Sequence, residues 1–234
     1  MAKYKIFHYF LFKMLIKKNF LDVRFHKFIT NYSRKHKDFF FIQIGANDGF
    51  KADPIYLYVR DFGWKGIVIE PVRYLFEKLK ENYKNIPGIV CENIAIGEKK
   101  EFKDFYMLKN SESKNLPLWY DEIGSFIKEN VTRYKDKIKE FDKYFISEKV
   151  KCLRISSLLN KYNIKKVDFL QIDTEGYDYE ILKQIPFQKI KPSIIMFEDR
   201  HLSDLQKGAC KRLLSDNGYE IVQLIDCFAY LKNT

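Results

Sequence analysis

The sequence predicts an α/β doubly wound fold, a mostly parallel sheet with helices on both faces and an antiparallel hairpin at its C-terminal edge. Three observations predict it. Short apolar runs that read as buried strands alternate with helical segments from residue 39 onward. The links between them are short, as right-handed βαβ units require. The first run also stops at a glycine-bearing loop, Gly45-Ala46-Asn47-Asp48-Gly49.

Phe39-Phe40-Phe41-Ile42-Gln43-Ile44 is the first strand, continuous in apolar character because a central parallel strand is covered on both faces. Asp53-Pro54 has the form of a helix start, and Ile55 to Phe62 follows, closed by Gly63. Gly66 to Glu70 is the second strand, Val72 to Asn82 the second helix, and Gly88 to Asn93 the third strand. Phe102 to Leu108 reads as another strand. Residues 109–149 then break the rhythm as an insertion with a charge-rich helical stretch, Val131 to Phe145. Such insertions are often lids or substrate-binding elements.

The rhythm resumes with strand Lys151 to Arg154, helix Ser156 to Tyr162 and core strand Val167 to Ile172. Helix Tyr177 to Gln184, strand Ser193 to Phe197, helix Ser203 to Asn217, and strands Tyr219 to Leu224 and Phe228 to Leu231 complete the chain, the last two forming the edge hairpin.

The chain's 234 residues suffice for one domain with a substantial core. Its charge of +11 is concentrated: residues 1–40 hold ten basic and two acidic side chains, leaving 32 against 29 in the rest. The reading is a basic, aromatic N-terminal helical arm over residues 1–38 and a catalytic domain over 39–234. A nucleic-acid surface on the main domain is not demanded. For the arm two readings stand: an amphipathic helix on an anionic membrane surface, or a helix packed on the domain or on a second copy of the chain. Its apolar run is too short to span a membrane and lacks a cleavage site. Cys91, Cys152, Cys210 and Cys227 show neither a zinc nor a disulfide spacing, which fits reduced thiols and a cytoplasmic location.

In an open α/β sheet the ligand sits beyond the carboxyl ends of the strands. After the first strand comes the Gly45–Gly49 loop; after the second comes Glu70, placed to accept from ribose hydroxyls. A dinucleotide wants G-x-G-x-x-G to seat its pyrophosphate. This loop has G-x-x-x-G and carries Asp48, a charge that repels pyrophosphate and suits a ligand bearing an amino group and a sulfonium, hence S-adenosylmethionine over NAD. Asn93, after the third strand, is placed to read an adenine amino group, or simply to cap a turn.

Strand Val167 to Ile172 ends in Asp173-Thr174-Glu175-Gly176-Tyr177-Asp178. Carboxylates two residues apart repel unless they bind donors or a cation, or share a proton, so Asp173 and Glu175 are catalytic candidates. The competing reading is helix capping. His201, the one histidine outside the arm, follows the next strand and is a candidate general base.

Ile44-Gly45-Ala46-Asn47-Asp48-Gly49, Ile69-Glu70-Pro71, Asn93-Ile94-Ala95-Ile96-Gly97 and Asp168 to Asp178 together resemble the FkbM family of methyltransferases, over about residues 39–200. The resemblance implies a Rossmann-like class I methyltransferase fold and S-adenosylmethionine as cofactor, held by Gly45, Ala46, Asn47, Asp48, Gly49, Glu70, Pro71, Asn93 and Ala95. It implies methyl transfer to a hydroxyl of a small molecule, often a sugar or glycoconjugate. Leu116 to Phe126 also resembles a segment of one branch, which places Trp119, Asp121 and Ser125 against the acceptor. A divalent metal between Asp173, Glu175 and a substrate diol is a secondary expectation. Gln43 stands where many members carry an acid, and Ile155-Ser156-Ser157 where many carry Leu-Asp. A nucleic-acid methyltransferase that uses the basic arm, and a non-catalytic nucleotide-binding module, are the alternatives.

Overall fold

The structure is a computed structural model of the chain and describes residues 23–51, 53–113 and 115–232. Helix α1 (Val23–Lys35) precedes β1 (Phe40–Ile44), α2 (Tyr56–Phe62), β2 (Lys65–Ile69), α3 (Arg73–Tyr83) and β3 (Ile89–Glu92). Then come β4 (Ala95–Ile96), β5 (Glu101–Leu108), α4 (Lys128–Thr132), α5 (Phe141–Tyr144) and β6 (Phe145–Leu153). The chain continues through α6 (Ile155–Lys161), β7 (Phe169–Ile172), α7 (Asp178–Leu182), β8 (Ile194–Phe197), α8 (Asp204–Asp216), β9 (Tyr219–Gln223) and β10 (Cys227–Leu231).

The main sheet has the order β3-β2-β1-β7-β8-β10-β9. Its first five strands pair in parallel and β10 runs antiparallel to both neighbours, so the doubly wound fold and the C-terminal edge hairpin are both present. Strand order reverses at β1, whose neighbours are β2 and β7, and a crevice opens at their carboxyl ends.

Each central strand sends alternate residues into two apolar layers, because side chains alternate across a strand. Ile42, Ile44, Leu170 and Ile172 pack with Leu158, Leu182 and Leu214 of α6, α7 and α8. Phe41, Val68, Phe169 and Ile194 pack on the other face with Phe25, Ile29, Val59 and Leu79 of α1, α2 and α3. The N-terminal boundary expected at residue 38 thus falls inside the folded unit. Helix α1 buries Phe25, Ile29 and Tyr32, and the Tyr32 hydroxyl donates to Asp168 Oδ1 at 3.2 Å. The rest of the arm, residues 1–22, lies outside the described residues. No helix among the described residues is long and apolar enough to cross a membrane.

Two local expectations change. The stretch Val131 to Phe145 is not one helix: α4 and α5 are single turns separated by a 3-10 turn at Lys135–Lys137. Its apolar residues Val131, Ile138 and Phe141 still share one cluster, so the spacing reported burial but not continuity. The short strand at Lys151 begins six residues earlier, and β6 runs antiparallel to all of β5. With β4 these strands form a separate three-stranded sheet beside the crevice.

Candidate functional site

A cavity of about 420 Å³ opens over the carboxyl ends of β1, β2, β7 and β8. The β1 loop supplies Gly45, Ala46 and Asn47, and the end of β2 supplies Glu70 and Pro71. Gly45 has φ +83°, and a Cβ there would overlap the carbonyl oxygen of Asp173, so the β1 and β7 loops touch backbone to backbone only because this residue lacks a side chain. Glu70 is buried; its Oε2 accepts from the Asn47 N–H at 2.8 Å and its Oε1 from the Val72 N–H at 2.9 Å. Each oxygen keeps a lone pair for a further donor. Burial pushes the Glu70 carboxyl up to about 8, against the opposing pull of those two N–H groups.

Ala95 also lines the cavity, whereas three cofactor candidates support it from behind. Asn93 Nδ2 donates to the carbonyls of Glu70 and Pro71 at 2.8 and 3.0 Å and fixes the end of β2. Asp48 Oδ1 accepts from the N–H groups of Phe50 and Lys51, closing the loop on itself. Gly49 packs against Leu79 and Tyr83 of α3.

Asp173 and Glu175, after β7, also line the cavity, with Glu198 at the end of β8. Burial, followed by the charges of Glu198 and Glu175, holds the Asp173 carboxyl well above the usual carboxylate range. Asp178 does not line the cavity. It ties the β7 loop to β8, accepting from Thr174 Oγ1 at 2.8 Å and from the Glu198 N–H at 3.2 Å. Neither Asp173 nor Asp178 caps the helix that follows β7, whose N-cap is Tyr177 without a side-chain cap hydrogen bond.

His201 does not line the cavity either. Its Nε2 lies 2.9 Å from Glu175 Oε2, and its Nδ1 accepts from Arg133 Nη1 at 2.6 Å. An arginine can only donate, so the ring's lone pair is engaged and its proton sits on Nε2. A base needs a lone pair within reach of the proton that it removes. The expected general-base role does not fit this placement, and His201 instead supports Glu175.

The insertion forms the roof. Of its expected acceptor residues, Asp121 lines the cavity and pairs with Lys51 Nζ at 2.7 Å. Ser125 is buried below it, its Oγ donating to the Glu175 carbonyl at 2.9 Å, and Trp119 packs against Tyr134 with ring centroids 5.2 Å apart. Sequence reasoning missed Gln43, Lys51, Tyr74, Phe126, Gln171 and Glu198, all of which line the cavity. Gln43 and Gln171 carried the one available signal, polar residues inside otherwise apolar strands; they face each other in register across β1 and β7.

Residues 43–221 match the family described as the methyltransferase FkbM domain, a span that covers most of the chain. The chain belongs to the FkbM methyltransferase family. Among solved structures it is similar to the methyltransferase FkbM from Methylobacillus flagellatus KT, with a TM-score of 0.50 at 15% identity, over 83% of this chain and 44% of that one. It thus spans less than half of that relative. It is also similar to the fibrillarin pre-rRNA processing protein of Methanococcus jannaschii (TM-score 0.41, 14% identity, 83% and 66% of the two chains). The N-terminal domain of human METTL16 in complex with SAH is comparable (TM-score 0.41, 13% identity, 88% and 68%). No curated protein matches the chain.

An FkbM methyltransferase takes its methyl group from S-adenosylmethionine, and the cavity fits that cofactor. Glu70, Asp121, Asp173, Glu175, Glu198 and Asp226 line it, against the cations Lys51 and Arg200. Those carboxyls offer acceptors to a ligand with an ammonium, and the lining gives a pyrophosphate only two cationic side chains. Two lining side chains, Gln43 and Gln171, also carry buried Oε1 atoms without a hydrogen-bond donor.

Proposed function

We propose that the chain methylates a hydroxyl of a small molecule, a sugar or glycoconjugate, by an O-methyl transfer in which Asp173 takes up the acceptor's proton. The observation that carries this reading is a single cavity lined by Gly45, Asn47 and Glu70 after β1 and β2 and by Asp173, Glu175 and Glu198 after β7 and β8, with Tyr74 of α3 and Tyr120 and Phe126 of the insertion beside them. Aromatic faces next to carboxylates suit a sugar, which presents apolar C–H faces and hydroxyl donors on the same ring.

S-adenosylmethionine, when bound, supplies a methyl carbon whose bond to the positive sulfur breaks as its bond to the acceptor oxygen forms. The chain's task is alignment and proton uptake. Glu70, Asn47 and Gly45 hold the cofactor side, with Asn93 fixing Glu70 from below. Asp173 accepts the hydroxyl proton; a carboxylate with raised proton affinity is suited to it, because a general base works best with a pKa near the working pH. Glu175 orients the hydroxyl. Asp121 and the aromatic roof position the rest of the acceptor, with Ser125 holding the Glu175 main chain.

The test is incubation with methyl-labelled S-adenosylmethionine and a fractionated cell extract, followed by analysis of the labelled product. An O-methyl ether on a saccharide is the expected product. Label recovered on RNA, on protein or on nitrogen would overturn the reading. Asp173→Asn should lower turnover by about two to four orders of magnitude while leaving cofactor binding intact, the usual range for loss of a general base.

A further inference from the structure

Beside the cavity, three potential ligand atoms converge with no hydrogen bonds between them. His201 Nε2 lies 2.9 Å from Glu175 Oε2 and 3.7 Å from Glu198 Oε2, and all three atoms lie within 4.8 Å of one another. The side chains of His201 and Glu198 are only 3% and 6% exposed. Both Oε2 atoms are sealed from solvent, and neither accepts a hydrogen bond. A buried carboxylate oxygen without a well-formed hydrogen bond is costly, and the single Nε2–H of a neutral imidazole cannot satisfy two of them, so the cluster is short of one cation.

We propose that Glu175, Glu198 and His201 form a binding site for a divalent transition-metal ion. Tetrahedral ligands about 2.1 Å from an ion stand about 3.4 Å apart, and the two distances to His201 Nε2 bracket that spacing. One imidazole with two carboxylates suits zinc or manganese better than magnesium or calcium, which prefer oxygen alone. Glu175 and Glu198 also line the cavity and His201 does not, so the remaining coordination positions face the acceptor side. Three protein ligands with an open position is the arrangement of catalytic rather than structural metal sites. Asp173 is not one of the three. The secondary expectation of a metal between Asp173 and Glu175 therefore moves one layer back, to the other side of Glu175.

Arg133 sets the condition for binding. It donates to His201 Nδ1 and, through Nη2, to Asn130 Oδ1 at 3.0 Å. With the guanidinium there, the ring proton occupies Nε2, the atom that an ion needs. Ion binding moves that proton to Nδ1 and turns Arg133 off the ring, with no net change in protons on the imidazole. Arg133 is then a competitor of the ion, and its removal favours the bound state.

The experiment is calorimetric titration of the chelator-stripped full chain with zinc chloride and, separately, manganese chloride, with S-adenosylmethionine titrated in a parallel run. The wild type is expected to bind one zinc ion. Affinity should fall at least on the order of tenfold in Glu198→Gln and His201→Asn, and rise severalfold in Arg133→Met. Absence of stoichiometric binding of either ion by both the wild type and Arg133→Met would overturn the proposal. So would binding that Glu198→Gln and His201→Asn leave unchanged. The gain expected in Arg133→Met keeps the test decisive if a ligand variant does not fold. The parallel run reports on the methyltransferase reading by itself: cofactor heat without metal heat sinks this site alone, and metal heat without cofactor heat sinks that reading alone.

Discussion

Asn47 donates its side-chain amide to the main-chain carbonyl of Asp121 at 2.8 Å, joining the cofactor loop to the insertion across 74 positions of sequence. Lys51, from the same loop, reinforces the tie through Asp121 Oδ1 at 2.7 Å, Glu122 Oε1 at 3.1 Å and the Leu118 carbonyl. The roof is therefore fastened to the β1 loop, whose residues Gly45, Ala46 and Asn47 line the cavity.

Loosening the tie should change cofactor exchange before it changes stability. A neutral hydrogen bond is worth about 1 kcal/mol net, and a partly exposed ion pair less. Asn47→Ala combined with Lys51→Met is expected to raise the dissociation rate of S-adenosylmethionine by roughly fivefold to tenfold. Hydrogen exchange of residues 116–126 should quicken while that of β1 and β7 does not. Unchanged exchange in the roof would show that these contacts do not fasten it.

Three buried carboxyls give the protein a pH dependence of predictable sign. Burial raises Asp53 to about 6, Asp178 to about 7 and Glu70 to about 8, from ordinary values of 3.8, 3.8 and 4.5. In each case the folded state holds its proton to higher pH than the unfolded state does. Between roughly pH 4.5 and 8 the folded chain therefore binds more protons, and stability falls as pH rises through that window. The cofactor-free protein is expected to melt highest in mildly acidic buffer. Glu70→Gln removes one contribution, so its melting temperature should depend less on pH between 5 and 8 than that of the wild type. A parallel pair of curves would contradict the assignment to Glu70.

Helix α1 tests where the folded unit begins. Its residue Phe25 packs edge-on against Phe228 with ring centroids 5.5 Å apart, and Ile29 is fully buried in the same layer. Ile29→Ala should cost about 2–4 kcal/mol, the usual price of an aliphatic truncation in a core. The check is chemical denaturation, with the slope unchanged and the midpoint lowered. A loss below about 0.5 kcal/mol, within the range of surface substitutions, would mean that α1 packs loosely.

The sheet was legible because its central strands are short, apolar and closed by Gly45, Glu70 and Asp173, residues whose chemistry marks strand ends. What escaped sequence reading were contacts made by side chains distant in sequence. Glu198 looked like an ordinary end to β8; only the fold brings it beside Glu175 and His201, 23 and 3 positions away. Arg133 was one charge among many in a helical stretch, and its contact with His201 spans 68 positions. Helix α1 was merged with the basic arm because Arg24, Lys27, Arg34 and Lys35 dominate its composition, although its apolar residues Phe25, Ile29 and Tyr32 recur at helical spacing.

The loop after β7 and the insertion should prove energetically coupled at Gly176. This residue has φ +102°, and a Cβ there would overlap Asn130 Nδ2 and lie 3.2 Å from His201 Cβ. Asn130 stands that close because its Nδ2 donates to the Glu175 carbonyl at 2.7 Å, holding Glu175 in its own left-handed conformation at φ +51°. Gly176→Ala therefore incurs two costs, backbone strain of about 1–3 kcal/mol at a positive φ and a clash with Asn130. Asn130→Ala alone loses two hydrogen bonds, one to the Glu175 carbonyl and one from Arg133 Nη2, at about 1 kcal/mol each. In the double variant the clash is gone and only the strain and the lost bonds remain. The double-mutant cycle is thus expected to show less destabilisation than the sum of the single variants, by about 0.5–3 kcal/mol as for other residues in contact. Strict additivity in denaturation midpoints would mean that Asn130 can move aside freely, and that the insertion does not hold the loop that carries Glu175.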